Sequence, residues 1–289
     1  SRRFESVCYG ASERMLVSDA LSFEQHPWPW LILASFLTGF AKAGVVGFGP
    51  LVTVIFAGAT PGGPKRALAL IQPVLVVSDV AVFWRYWREL RSAAGKKTDD
   101  STPPSLLHLI EVGLLAWALL GVGLGQLSLG RLDDRTVKHV LAFVLAVLLA
   151  SRALRSILPA NFGDLLDMGG RRLPNWIVGV AMGWVSVLTN NAGVLVDTYL
   201  LSIASTDKRE YLLRRSSLLL VIASVKLVLH MISGLLPMDI TILHSALLSC
   251  VALIGVPAGQ RMAGYIPQKA FGVVSMSLVA LGTVQLARS

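Results

Sequence analysis

A glycine-rich pattern occurs twice in this chain, each time inside a long apolar segment. The first copy begins at Gly39 and ends at Pro50, and the second begins at Gly183 and ends at Gly193. Gly39 and Gly183 are 144 residues apart, as are Gly49 and Gly193. Because glycine and proline weaken a helix, we expect each apolar segment to be broken where the pattern lies. A repeated broken segment indicates a duplicated membrane protein with the plan of a secondary transporter.

A second repeated pattern supports the duplication. The stretch GVGLGQ at 121–126 matches GVPAGQ at 255–260, 134 residues later, and a polar insert at 92–105 accounts for the smaller separation. Residues 1–26 lack the charged start and apolar middle of a signal peptide, so we expect a polar tail there. The predicted organisation is this tail, a first membrane repeat at 27–158, a linker at 159–173 and a second membrane repeat at 174–289.

The composition argues against a soluble domain. Hydrophobic residues make up 54% of the chain and charged residues only 15%, whereas a soluble domain carries about 25% charged residues. The net charge of +9 falls in the loops between apolar segments, where it fixes orientation and contacts anionic lipid instead of nucleic acid. We therefore predict an all-α, multi-pass protein of a plasma membrane or bacterial inner membrane.

Eight hydrophobic elements are predicted. They lie at about 28–59, 64–87, 105–129, 137–158, 174–204, 212–236, 240–265 and 270–287. The first and fifth are longer than a membrane crossing needs, so each is either a tilted helix with an unwound middle or a re-entrant hairpin. Re-entrant segments distribute the basic residues more unequally between the two faces, which favours that geometry and makes the two repeats inverted. In this arrangement the loops that hold Arg88 and Arg171 are cytoplasmic.

Nothing in the sequence indicates catalysis or a bound cofactor. Cys8 and Cys250 lie far apart, and the five histidines show no metal-ligand spacing. No nucleophile elbow or phosphate-binding loop is present. We therefore predict neither an enzyme nor a metal or cofactor site. An anion channel remains the main alternative to a transporter, and an intramembrane enzyme is a weaker one.

Few charged residues lie within the apolar segments, and each costs about 2.5–3.5 kcal/mol to insert. Lys42 lies at the first break, and Lys226 lies in the sixth element with His230 one turn further on. Two lysines beside unwound backbone suit a small oxyanion, because broken helices expose free N–H groups. The predicted binding residues are Lys42, Gly44, Gly47, Gly49, Asn190, Asn191, Gly193 and Lys226.

Two acids in the apolar segments leave other roles open for the lysines. Lys42 and Asp79 could form a buried ion pair that only fixes packing, and so could Lys226 and Asp197. Asp79 could instead compete with substrate for Lys42 or carry a coupled proton, so both acids are candidate coupling residues. We expect His230 to be a core residue whose hydrogen bonds are satisfied.

Several short stretches resemble the sulfite exporter TauE/SafE family. In the first repeat these are GFAKAG at 39–44, Gly47, Gly49, ALALIQPVL at 67–75, and Asp79. In the second repeat they are NAG at 191–193, YLL at 199–201, KRE at 208–210, and VK at 225–226. The resemblance extends over about residues 30–288.

The resemblance implies a multi-pass carrier of a small sulfur-containing anion such as sulfite, sulfoacetate or a related organosulfonate. It also implies two pseudo-symmetric halves with the site between them, and it maps the family's intramembrane lysines onto Lys42 and Lys226 and its acid onto Asp79. Val194, Ser224 and Asp197 depart from the family's usual residues. A carrier of another small organic or inorganic anion stays open, as does a homo-oligomer.

Overall fold

The computed structural model describes residues 27–43, 48–60, 63–94, 112–157, 174–190, 192–203, 208–236 and 240–262. Almost all of these residues lie in helices, and no strand occurs among them, which confirms the predicted all-α class. The helices are α1 (Pro27–Lys42), α2 (Gly49–Ala59), α3 (Pro64–Ala94), α4 (Val112–Arg131), α5 (Asp134–Ile157), α6 (Asn175–Thr189), α7 (Gly193–Ile203), α8 (Lys208–Ile232) and α9 (Ile240–Met262).

Both predicted helix breaks are confirmed. α1 ends at Lys42, and α2 starts at Gly49 with a proline in its first turn, where the fixed φ of proline suits helix initiation. α6 ends because Asn190 adopts a left-handed conformation with φ 57°, which asparagine tolerates better than most residues. Three of the predicted binding residues, Gly44, Gly47 and Asn191, lie outside the described residues.

Several helix boundaries differ from those predicted, and the end of α3 and the start of α5 have a clear physical reason. α3 continues past Trp87 to Ala94, because the guanidinium groups of Arg88 and Arg91 lie over the Trp84 and Trp87 rings and support the helix beyond the apolar stretch. α5 begins at Asp134, and the preceding Asp133 accepts a hydrogen bond from the Thr136 backbone N–H as an N-cap. The linker at 159–173 and the element at 270–287 lie outside the described residues.

Four of the described helices are long and apolar enough to cross a membrane. Their membrane-length segments are Pro64–Glu89, Val112–Arg131, Tyr211–Ile232 and Leu243–Met262. The broken helices are different, because α1 has 16 residues and α2 has 11. At a rise of 1.5 Å per residue, they reach only about 24 Å and 16 Å, less than the hydrocarbon thickness of about 30 Å.

Two equivalent helix pairs each join a helix from the first part of the chain to a helix from the second part. α9 packs on α1, and α4 packs on α6. In the first pair Gly39 lies against the Ala252 backbone, and in the second Gly183 lies against the Ala118 backbone. The glycines are 144 residues apart and the alanines 134 residues apart, so both sequence repeats reappear as equivalent contacts. A side chain at either glycine would overlap the neighbouring backbone, which explains the small residue.

Candidate functional site

Lys226 is the most deeply buried lysine of the site, with 1% of the residue exposed. Its ammonium lies 2.6 Å from the Ser186 carbonyl oxygen and 3.3 Å from the Ser186 hydroxyl, and it also donates to Oδ1 of Asn190. Ser186 is in the last turn of α6, where the helix dipole favours a cation, and its carbonyl oxygen also accepts from the Asn190 backbone N–H at 3.0 Å. All three of these oxygens are neutral, so none of them cancels the charge of Lys226.

The second break is held against helices of the first half. The Asn190 amide donates to the Leu68 carbonyl oxygen on α3 at 3.3 Å. The Thr53 hydroxyl on α2 donates to the Thr189 carbonyl oxygen at 2.8 Å. These bonds satisfy polar groups that the end of α6 would otherwise leave without partners. The break therefore lies at the contact between the two halves, next to Lys226.

Lys42 and Asp79 form an ion pair beside this break. Nζ of Lys42, in the last turn of α1, lies 2.8 Å from Oδ2 of Asp79 on α3. The Asp79 side chain is 2% exposed and the Lys42 side chain 16% exposed, so the pair is largely buried. The pairing that the sequence left open as an alternative is therefore present in the structure. Asp79 and Lys42 also interact electrostatically with Lys226, so the three residues belong to one charged cluster.

Asp197 pairs with Arg215 and not with Lys226, the pairing that the sequence had left open as an alternative. Nε of Arg215 lies 2.5 Å from Oδ1 of Asp197, and the Tyr211 hydroxyl donates to the same oxygen at 2.9 Å. Tyr211 and Arg215 lie one turn apart near the start of α8. Lys226 follows Arg215 by eleven residues, which corresponds to about 16 Å along the helix. Asp197 therefore lies beside Tyr211 and Arg215 near the start of α8, and not beside Lys226.

Arg215 is a site residue that the sequence analysis missed. Basic residues are expected mainly at the membrane faces, but Arg215 is only 7% exposed. The available signal was its spacing from Lys226, because eleven residues make about three turns and bring both side chains to one face of α8. A Cβ at Gly193 would lie 3.1 Å from Nη2 of Arg215, so this glycine leaves room for the guanidinium at the start of α7.

His230 is fully buried at 0% exposure, as expected of a core residue. Neither ring nitrogen has a hydrogen-bond partner in the described part of the molecule, so the prediction that its hydrogen bonds are satisfied was wrong. Within the same ranges, no group of three histidine, cysteine or acidic side chains could hold a metal ion.

Arg215 interacts electrostatically with Asp79, so Arg215 and Asp197 are counted with this cluster. The five residues together carry one more positive than negative charge when each has its ordinary ionisation. Lys42 is balanced by Asp79 and Arg215 by Asp197, whereas the contacts of Lys226 are to neutral oxygens. A buried cation without a counter-ion is costly, and a bound anion would remove that cost. The fold and the cluster together define a multi-helix membrane protein with a cationic interior at its helix breaks.

The family comparison agrees with this class. The sequence model of the family described as "Sulfite exporter TauE/SafE" matches residues 31–286. The chain belongs to this family, whose members are membrane transporters rather than enzymes. No curated protein and no solved structure matches the chain significantly.

Proposed function

We propose that this protein is a secondary transporter of a small sulfur-containing anion, sulfite or an organosulfonate such as sulfoacetate. It carries the anion by alternating access around a central site between its two halves. The observation that carries this proposal is the buried charge of Lys226, which sits at a helix break and contacts only neutral oxygens. An anion that enters the break pairs with this charge in a medium of low dielectric, where the attraction is strong.

Lys42 is the second cation of the proposed site. In the structure it is bound to Asp79, so an arriving anion competes with that carboxylate for the ammonium. While the site is empty, the ion pair with Asp79 lowers the cost of burying the Lys42 charge. Asp79 therefore acts as a built-in competitor that weakens binding enough for the anion to be released.

Backbone groups complete the proposed site. α2 starts at Gly49 and α7 starts at Gly193, and the first N–H groups of a helix have no partners within it. Gly44, Gly47 and Asn191 belong to the same proposed set. Asn190 contributes by orienting Lys226 through its Oδ1 atom. A tetrahedral oxyanion suits this arrangement, because several donors and two ammonium groups approach from different sides.

The contacts between α3 and α8 support an inverted arrangement of the two halves. Gln72, early in α3, donates to the carbonyl oxygen of Ala223 in the second half of α8 at 2.7 Å. Tyr86, late in α3, interacts electrostatically with Arg215 near the start of α8. The two helices therefore run in opposite directions, although they hold the same place in their repeats. Inverted repeats of this kind move against each other in alternating access.

Counterflow in proteoliposomes tests the proposal. Vesicles loaded with unlabelled sulfite should accumulate labelled sulfite transiently, because a carrier exchanges one anion for another. A current far above carrier turnover, without exchange, would identify an anion channel instead. A thermal-shift panel of sulfite, thiosulfate, sulfate, sulfoacetate, taurine and carboxylates identifies the substrate class. Preference for a cation or a neutral solute would exclude the role proposed for the lysines.

A further inference from the structure

His230 is a buried titratable group that the anion site does not use. Its imidazole is fully buried, and neither nitrogen has a hydrogen-bond partner in the described ranges. A neutral imidazole carries one N–H donor and one acceptor, and buried groups of this kind are nearly always paired. An unpaired histidine inside a membrane-spanning segment is expected to have a functional role.

His230 lies between the anion site and the exposed end of α8. It lies one turn from Lys226 on α8. On its other side the Ser233 hydroxyl donates to the His230 carbonyl oxygen at 3.2 Å and accepts from Nε2 of Gln126 at 2.9 Å. Ser233 is exposed, and Oε1 of Gln126 has no hydrogen-bond partner within the described ranges. Lys226, His230 and Ser233 therefore follow one another along one face of α8, from the buried site to its exposed end, and Ser233 contacts His230 through the backbone carbonyl.

Lys226 is the charge that acts on His230. Among the helices that pack against α8, α3 places Asp79 beside Lys226, α7 places Asp197 on Arg215, and α6 carries no charged residue. α4 carries only Arg131, at its end. The positive charge of Lys226 repels a proton from His230 while the anion site is empty. A bound anion cancels that charge and removes the repulsion.

We propose that His230 is the proton-binding site of a proton-coupled anion transporter. The proton binds a ring nitrogen of His230 when the anion occupies the site at Lys226, so the two ligands strengthen each other's binding by the same factor. A monovalent anion and one proton then cross the membrane together with no net charge added to the buried cluster, whereas a dianion such as sulfoacetate adds one negative charge, which offsets the excess positive charge of Lys226. This inference rests on the proposed anion transport.

Proton uptake on anion binding tests the inference. Calorimetric titration of the purified protein with sulfoacetate, in buffers of different ionisation enthalpy, measures the protons taken up per anion. The acidic groups of sulfoacetate stay ionised between about pH 5.5 and 8, the range in which histidine titrates. Any proton taken up on binding is therefore bound by the protein and not by the ligand. We expect wild type to take up protons and to lose affinity by up to about tenfold per pH unit at the alkaline end. His230→Gln should bind without uptake and with an affinity independent of pH.

The exposed His139 provides the matched control, because His139→Gln should retain wild-type proton uptake. Sulfoacetate binding by wild type without proton uptake would overturn the inference and leave the anion site standing. Uptake retained in His230→Gln and lost in Asp79→Asn would assign the proton to Asp79 and also overturn it. If wild type binds none of sulfoacetate, sulfite and thiosulfate, the proposed function fails, and the inference fails with it. His230→Asn provides a second variant if His230→Gln does not fold.

Discussion

The ammonium of Lys226 lies 2.6 Å from the carbonyl oxygen of Ser186, in the last turn of the helix that ends at the second break. Ser186 is 144 residues after Lys42, so both residues hold the same place in their repeats. Lys42 binds Asp79 on α3, and Ser186 binds Lys226 on α8. The two halves thus share a contact between the first broken helix and the third helix, but only the first half closes it with an ion pair. In the second half the hydrogen bonds of Lys226 go to neutral oxygens, within the described ranges.

Lys226→Met should remove most of the anion affinity. Loss of one partner from a buried charged set costs about 2–5 kcal/mol, which is roughly 30-fold to several-thousand-fold in Kd. Lys42→Met should also weaken binding. The measurement is the thermal shift produced by sulfite, with Lys138→Met on α5 as the matched control that should bind like wild type. If both site variants bind and transport normally, the lysines are structural and backbone dipoles alone hold the anion.

Asp79→Asn should tighten anion binding, because it removes the carboxylate that competes for Lys42. Close charge pairs couple by at least about 1.5 kcal/mol, so we expect an affinity gain of roughly tenfold or more. The same variant should have a lower Tm without anion, since Lys42 is left unpaired, and a larger rise in Tm when sulfite is added. Asp133→Asn is the control, because asparagine caps a helix as well as aspartate does. Weaker binding by Asp79→Asn would contradict the competition.

The sequence predicted the breaks and offered the Lys42–Asp79 pair as one alternative, because both features follow from local chemistry. Glycine, proline and asparagine stop a helix wherever they occur, and a lysine at a break inside an apolar segment needs a partner nearby. The partner of Asp197 was not predictable in this way. It depends on how α7 and α8 are shifted relative to each other along their axes. Helical periodicity fixes which face of its helix a residue occupies, but not which residues of two neighbouring helices stand opposite each other.

The hydrogen bonding of His230 could not be predicted from the sequence either. The expectation that a core histidine is satisfied rests on the general behaviour of buried polar groups. Whether a neighbouring helix supplies a partner depends on which side chains that helix presents. The helices packed around the end of α8 are mainly apolar, and the Gln126 amide on α4 donates to the Ser233 hydroxyl instead.

The Arg215 and Asp197 pair should contribute to stability through a strong mutual coupling. Removing either partner leaves a buried charge uncompensated and costs about 3–5 kcal/mol. The double variant Asp197→Asn with Arg215→Met should therefore be more stable than the sum of the single changes predicts. Thermal unfolding in detergent measures this cycle. The exposed pair Arg85 and Glu89 is the control, with an expected coupling of about 0.3–0.5 kcal/mol. Equal couplings in the two cycles would show that the Asp197 pair is not effectively buried.

Gly39 lies at the contact between α1 and α9, and Gly183 lies at the contact between α4 and α6. Neither position should tolerate even one added methyl group. A Cβ at Gly183 or Gly39 would overlap the facing backbone, whereas a Cβ at Gly123 meets nothing within 4 Å. We expect Gly183→Ala and Gly39→Ala to lower stability by about 1–3 kcal/mol each, and Gly123→Ala to be neutral or to stabilise by up to about 1 kcal/mol. The Tm in detergent measures the effect. A destabilised Gly39→Ala beside an unaffected Gly183→Ala would argue that the two contacts are not equivalent.

Ser92 and Ser233 should lie on opposite sides of the membrane. Both are exposed near the C-terminal ends of α3 and α8, which run in opposite directions in the contacts that join the two halves. In a background with Cys8 and Cys250 replaced by serine, a cysteine at 92 should react with an impermeant maleimide only from the cytoplasmic side. A cysteine at 233 should react only from outside. Reaction of both cysteines from the same side would exclude inverted repeats. Opposite labelling with the sides exchanged would keep the inversion but reverse the orientation, because the basic loop after α3 would then face outward against the usual bias of basic residues toward the cytoplasm.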